Sequence, residues 1–469
     1  MNPFLIAAVG MAIVIGGILF LRLHAFLALV LGALAVAGMT SPEIVERFYL
    51  SVGTNPEDAR ILADKLFVFR VTEGFGAGAA NIGILIAMAS IIGKCLLESG
   101  AAERIVIWIR KFFGEKRAPM AFSASAFVLG IPVFFDTVFY LLMPLVKAMR
   151  TRTGKDYLLY ILAVIAGATM AHSLVPPTPG PLYAAVELGI DVGTMMLGGL
   201  IVGSFSVMAG YAYAVWANRR WEIPLRTSNE FQEPASADPT TQRTLPRLWL
   251  SLTPIVLPLA LIGGRTLARS NGFEPAILRL LGDKNIALIL SAGVALFLLG
   301  WTRRRSLKQL GVTVQEALAS GGGIILITAA GSAFGMTLRQ TGIAEELRGV
   351  MPDGCLSLLL MAFGITTVVR TAQGSATVAM ITAVGIVGPL IQGVDLPYHP
   401  VFVALAIGCG SKPISWMNDS GFWIIGRMTG MTEAETLKTA SVMMTIMGLT
   451  GLGIILLGAT VDQWLIGFF

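Results

Sequence analysis

Asp136 stands alone in the apolar run GIPVFFDTVFYLLMPLV, residues 130–146, and His172 stands alone in ILAVIAGATMAHSLVPPTPGP, residues 161–181. A carboxylate at the centre of a membrane span costs roughly 2.5–3.5 kcal/mol on insertion scales, so an ionisable group there is by default a functional one. Burial penalises its charged form, which suits Asp136 to carrying a proton; the structural alternative is a helix cap or the partner of a buried arginine. The imidazole of His172 titrates near neutrality in water. It could share the proton or donate to a solute hydroxyl, or be a histidine satisfied by ordinary hydrogen bonds. Directly after it, Pro176, Pro177, Pro179 and Pro181 surround Thr178 and Gly180. Proline lacks an N–H donor and clashes with the preceding turn, so this stretch is expected to interrupt the helix. Non-helical backbone at membrane depth is tolerated only where protein buries it or it lines a cavity. Backbone groups around Pro177 and Thr178 are therefore candidates for holding a polar solute, with a tight turn outside the membrane as the alternative.

A second set lies later in the chain. VVRTAQGSATVAMITAVG, residues 368–385, places Arg370 before a Gly-Ser-Ala-Thr break. The planar guanidinium fork suits a carboxylate. If a helix starts at Ala376, Gly374, Ser375 and Thr377 lie at its N-terminus, where free amides favour an anion. Otherwise Arg370 pairs with Asp136 or snorkels to the surface. SWMNDSGFW, residues 415–423, then collects Ser415, Asn418, Asp419 and Ser420 at another break. Hydroxyl and amide groups in such number suit a polyhydroxylated solute, or else form a polar loop. Lys412 adds a positive charge to the site or faces the cytoplasm.

These residues need apolar elements to hold them. The chain is 55% hydrophobic and 13% charged, against about 25% charged in an ordinary soluble domain. It cannot clothe a globular surface in polar groups, so the expected fold is an all-α, polytopic membrane protein. The basic clusters at 147–156 and 303–308 read as cytoplasmic loops under the positive-inside rule, and no basic face with interleaved aromatics suggests nucleic acid. Cys95, Cys355 and Cys409 form no paired framework, and His24, His172 and His399 are scattered, so neither a disulfide, a metal site nor a cofactor is expected. Residues 3–21 lack a basic leader and a small-residue cleavage site and read as a retained span.

The apolar segments fall into two similar halves. Residues 73–100 and 320–338 are Gly-rich, and each is either a full span or a re-entrant hairpin, the hairpin being preferred. Residues 118–146 and 355–391 are each too long for one straight span and are broken at Gly130–Pro132 and near Arg370–Ser375. Gly93, Gly100 and Glu103 fall on Gly335, Gly342 and Glu345, and Gly180 and Gly189 fall on Gly421 and Gly430, at a near-constant offset. We expect a duplication: residues 1–226 as one transmembrane repeat, 227–246 as a polar cytoplasmic linker and 247–469 as a second repeat. Each half holds about five spans plus a hairpin. An odd number inverts the second copy and puts both termini outside, an architecture of secondary transporters. This arrangement leaves residues 265–284 outside despite their basic side chains.

With these motifs in hand, GIPVFFDxxxxLLMPLV, His172-x-x-x-Pro-Pro-x-Pro-Gly-Pro, Arg370-x-x-x-Gly-Ser-Ala-Thr-Val-Ala and Asn418-Asp419-x-Gly-Phe-Trp resemble the signatures of the gluconate permease family. The resemblance runs from residue 73 to 437. It implies a bacterial inner-membrane, multi-pass symporter of the ion-transporter superfamily, coupling protons to uptake of a sugar-acid anion. The partners implied are a small organic anion, a coupling proton, the bilayer and a second copy in a homodimer. The sequence departs from the family pattern at Thr178 and Trp416, where histidines are frequent, and at Lys412. These positions leave room for a smaller or less hydroxylated hydroxy acid. Sodium coupling stays open as an alternative. An intramembrane enzyme would need His-Glu-x-x-His or paired aspartates, neither of which occurs.

Overall fold

A computed structural model describes residues 2–114, 117–226, 245–270, 272, 275–343, 356–391, 396–417 and 419–466; these are helical and carry no strand. Among the described residues, eight helices are long and apolar enough to cross a membrane. In the first half the helices are α1 (Pro3–Leu19), α2 (Ala25–Met39), α3 (Pro42–Ser51), α4 (Pro56–Ala63), α5 (Phe67–Ser99), α6 (Ala101–Phe113), α7 (Ala118–Gly130), α8 (Phe135–Thr153), α9 (Tyr157–Leu174), α10 (Pro179–Glu187) and α11 (Val192–Arg220). The second half has α12 (Leu248–Ser270), α13 (Ala276–Leu281), α14 (Lys284–Arg303), α15 (Leu307–Arg339), α16 (Leu356–Gln373), α17 (Ala376–Ile391), α18 (Val401–Gly410), α19 (Ser420–Thr429), α20 (Glu433–Thr436) and α21 (Val442–Ile466).

The Gly-rich segments are not hairpins. α5 and α15 are continuous helices of 33 residues each, about 50 Å long at 1.5 Å per residue. Their glycines serve close packing instead. A Cβ on Gly74 would stand 3.0 Å from the Ala333 Cα, and one on Gly78 would stand 3.1 Å from the Ala329 Cα. Small residues let the two backbones approach, and α5 against α15 is the central pairing of the molecule. The polar stretch between α2 and α5 folds as α3 and α4, which close over their own small core of Val45, Tyr49, Ala59 and Ala63.

Four helices are interrupted where the sequence predicts: α7 to α8 at residues 131–134, α9 to α10 at 175–178, α16 to α17 at 374–375, and α18 to α19 at 411–419. The proline run is only partly non-helical. Thr178 precedes the first turn of α10, and Pro179 and Pro181 sit within that turn. The first four N–H groups of a helix have no internal acceptor, so proline costs little there. At the α16–α17 break Gly374 has φ +80°, a left-handed conformation that glycine adopts without steric cost.

The packing of the first half recurs in the second. α7 and α8 lie on α9 as α16 and α17 lie on α18; α11 lies on α9 as α21 lies on α18; α1 pairs with α2 as α12 pairs with α14. The short tips then cross over. α10 packs on α17 of the other half, and α19 packs on α8. Broken helices from both halves are thereby brought to one place.

Candidate functional site

The breaks surround a cavity of about 350 Å³, within the roughly 300–1,000 Å³ of small-molecule pockets. The start of α8 supplies Asp136 and Thr137, and α9 supplies Thr169 and His172, on one face at i, i+3 spacing. From the second half come Arg370, Ser375 and Thr377 around the α16–α17 break, and Ser411, Lys412, Asp419 and Ser420 around the α18–α19 break. Ser320 reaches in from α15. Helix N-termini converge here. Ser375 accepts a hydrogen bond from the Val378 N–H at 3.3 Å, and Asp419 caps α19 by accepting from the Gly421 N–H at 2.8 Å. The helix dipoles ending here give the cavity a positive bias over and above its side chains.

Arg370 is the structural knot. Its Nε donates to the Ser411 carbonyl at 3.1 Å, its Nη1 to the Gly374 carbonyl, and its Nη2 to the Asp419 carboxylate and to Ser415 Oγ at 3.3 Å. Ser415 Oγ in turn donates to Asp419 Oδ2 at 2.6 Å. The arginine's ion pair is therefore with Asp419 and not with Asp136. It fastens one break to the other. Asp136, half-buried at the first turn of α8, borders the cavity without an ion pair among the described residues. His172 Nε2 lies 3.3 Å from Thr377 Oγ1, its ring packs at 5.7 Å from that of Phe134, and its Nδ1 is buried without a hydrogen-bond partner.

Other expected residues are placed elsewhere. Thr178 turns its hydroxyl back onto the Val175 carbonyl at 2.7 Å and does not line the cavity. Pro177 borders a separate small void with Val192 and Lys284. Gly374 and Ser415 act through Arg370 and lie behind the wall. Asn418 is outside the described residues. Sequence reasoning passed over Thr137, Thr169, Ser320 and Ser411, since single hydroxyls in apolar helices carry no distinctive spacing. It left Lys412 undecided, and the structure places that residue inside: 3% exposed, with Nζ donating to the Thr169 carbonyl at 2.9 Å. No group of three or more His, Cys, Asp or Glu among the described residues could hold a metal ion.

The cavity thus offers cations, carboxylates and hydroxyls within an apolar wall. Comparison with known proteins identifies the family. The profile of the GntP family permeases matches residues 62–461. The gluconate permease of Pseudomonas aeruginosa is 33% identical over 93% of each chain. The inner membrane permease YgbN of Escherichia coli is 32% identical over 81% of this chain and 85% of its own. A solved structure of Neisseria gonorrhoeae MtrF, from a class of antimetabolite efflux pumps, covers 84% of both chains at a TM-score of 0.61 and 14% identity, a likeness of fold. These relatives are permeases and not enzymes. By the match along 62–461 and the identity to curated relatives, this multi-pass membrane protein belongs to the GntP family of permeases.

Proposed function

We propose that the chain carries gluconate, or a related sugar-acid or hydroxy-acid anion, inward across a bacterial inner membrane by coupling it to protons. The observation that carries the reading is the charge balance of the cavity. Arg370 and Lys412 face Asp136 and Asp419 there, so the empty site is neutral. An organic anion adds one negative charge at low dielectric, where an uncompensated charge is costly. One proton on Asp136, the carboxylate without an ion pair, restores neutrality. Anion and proton then move together with no net charge change in the cavity. The hydroxyls of Ser375, Thr377 and Ser420, with His172, would meet those of the solute.

The repeats are part of the same reading. The recurring pairings and the crossed tips support residues 1–226 and 247–469 as two copies of one unit, which we read as inverted and joined by a cytoplasmic linker at 227–246. Labelling Ser236→Cys only from outside would refute that orientation. Pairing of two copies into a homodimer is checked by the native mass of the solubilised protein.

The test of transport is uptake of labelled hydroxy acids into proteoliposomes under imposed pH or sodium gradients. Asp136→Asn mimics the protonated form permanently. It should abolish accumulation driven by a pH gradient while sparing exchange between loaded vesicles. Accumulation that persists in Asp136→Asn removes the proton from this residue, and accumulation that follows sodium alone establishes the sodium-coupled alternative.

A further inference from the structure

Two cations reach the cavity, Arg370 and Lys412, and they are not equivalent. Every nitrogen of the Arg370 guanidinium is engaged by the chain itself: by the Ser411 and Gly374 carbonyls, by Ser415 and by Asp419. Four of its five N–H donors are thereby used, so it offers an anion one further hydrogen bond at most unless a buried carboxylate is displaced. Lys412 differs. An ammonium carries three donors, and the hydrogen bond recorded for it goes to the Thr169 carbonyl at 2.9 Å. Lys412 has no ion pair among the described residues, although it is 3% exposed. With the nearby Asp419 carboxylate already paired to Arg370, a buried charge whose hydrogen bond goes to a neutral acceptor leaves its desolvation largely uncompensated. The side chain is also fixed in place. A Cβ on Gly448 of α21 would stand 3.1 Å from the Lys412 Cβ, so that helix packs directly behind it. The preceding residue, Ser411, has its carbonyl held by Arg370 at 3.1 Å.

We propose that Lys412 receives the carboxylate of the transported anion, and that Arg370 is a positioning residue that holds Lys412 and the two breaks in register without touching the solute. The assignment rests on the reading of the cavity as a hydroxy-acid site and deepens it. It replaces the fork of the arginine by a compact point charge, which demands an anionic end group and places little constraint on the remainder of the molecule. Discrimination between an acid and the corresponding neutral alcohol therefore resides at Lys412. Recognition of chain length and hydroxyl pattern resides beside it, at His172, one turn after the Thr169 carbonyl that holds Lys412, and at Thr377, whose side chain meets His172 at 3.3 Å.

The experiment is equilibrium binding to the purified full-length protein, with gluconate and glycerate as acid probes and glucitol as the neutral counterpart of gluconate. Lys412→Met keeps the length and loses the charge; Lys412→Arg keeps the charge. Lys412→Met should weaken binding of the acids by about 10- to 100-fold, the range for a hydrogen bond to a charged group. Glucitol binding should be unchanged and the melting temperature preserved, and Lys412→Arg should recover most of the affinity for acids. Unchanged acid affinity in Lys412→Met overturns the assignment. So does an equal loss of acid and glucitol, or equal damage by Met and Arg, since both describe a structural role. If the wild type binds neither acid, the hydroxy-acid reading itself falls, and this inference with it.

Discussion

The two crossing tips, α10 and α19, occupy matching places in the two halves and are built from opposite materials. At the offset that lays Gly180 on Gly421, Thr178 falls on Asp419, Ala171 on Lys412 and Leu129 on Arg370. Thr178 and Asp419 each stand at the N-cap of the following tip. In the first half the break is neutral and closed upon itself, and residues 179–185 of α10 are buried. In the second half the break carries the charges, and α19 leaves Trp423 39% exposed while Ser420, Gly421 and Ile425 line the cavity. The far end of α10 is held to α15: Arg339 Nη2 pairs with Glu187 Oε1 at 2.5 Å, and Ser332 Oγ donates to Glu187 Oε2 at 3.3 Å. The far end of α19 lies beside the basic loop that precedes α9, with Tyr157 donating to the Thr429 carbonyl at 3.1 Å. The tip of the second half is charged and borders the cavity; the tip of the first half is neutral and sealed within the protein. If the basic loops are cytoplasmic, the charged tip lies towards the cytoplasmic side.

The largest expected effect comes from breaking the charged break. Asp419→Ala leaves Arg370 buried without a counter-charge and should cost about 3–5 kcal/mol, the range for removing one partner of a buried ion pair. Replacing both, Arg370→Met with Asp419→Leu, should cost far less than the sum of the single changes. Thermal unfolding in detergent measures this, and additive losses would show that the pair does not tie the breaks together.

Next comes the seal. Glu187→Gln removes the charge that holds Arg339 and should weaken that contact by about 2 kcal/mol, as for other hydrogen bonds to charged groups. A shift of that size changes a two-state population by more than about tenfold. Thiol labelling of Leu182→Cys, at a position 1% exposed, should rise in the Glu187→Gln background. Labelling of Ser420→Cys, at an exposed position that lines the cavity, should be ready without it and should come from the linker side. Equal protection of both cysteines would erase the asymmetry between the tips.

Much of this was legible beforehand, and for physical reasons. Prolines, paired glycines and lone charges in apolar runs mark the places where a membrane helix must stop, and all four breaks fall at such marks. The glycines of α5 and α15 misled, because a glycine placed for close approach of another helix reads the same as one placed for a turn; only the partner backbone at 3.0–3.1 Å distinguishes them. The direction of a side chain at a break was likewise hidden. Arg370 was visible as a cation, but its capture by Asp419, 49 residues further on, depends on how α16 and α18 pack. Lys412 was ambiguous for the same reason.

The smallest effect should be at Thr178, and it separates the two breaks most cleanly. The proline motif marks this residue as a candidate for contact with the solute, yet its hydroxyl donates to the Val175 carbonyl at 2.7 Å and its side chain is 3% exposed. Thr178→Ala removes that hydrogen bond and the small packing contribution of a methyl group. The Val175 carbonyl loses its donor near the first turn of α10, a cost of about 0.5–1.5 kcal/mol for a neutral hydrogen bond. Because the hydroxyl points away from the cavity, affinity for the anion should not change. A modest fall in melting temperature with unaltered gluconate binding is the expected result. A loss of affinity comparable to that of Lys412→Met would instead place the proline break in the binding wall and make the two halves equal partners in recognition.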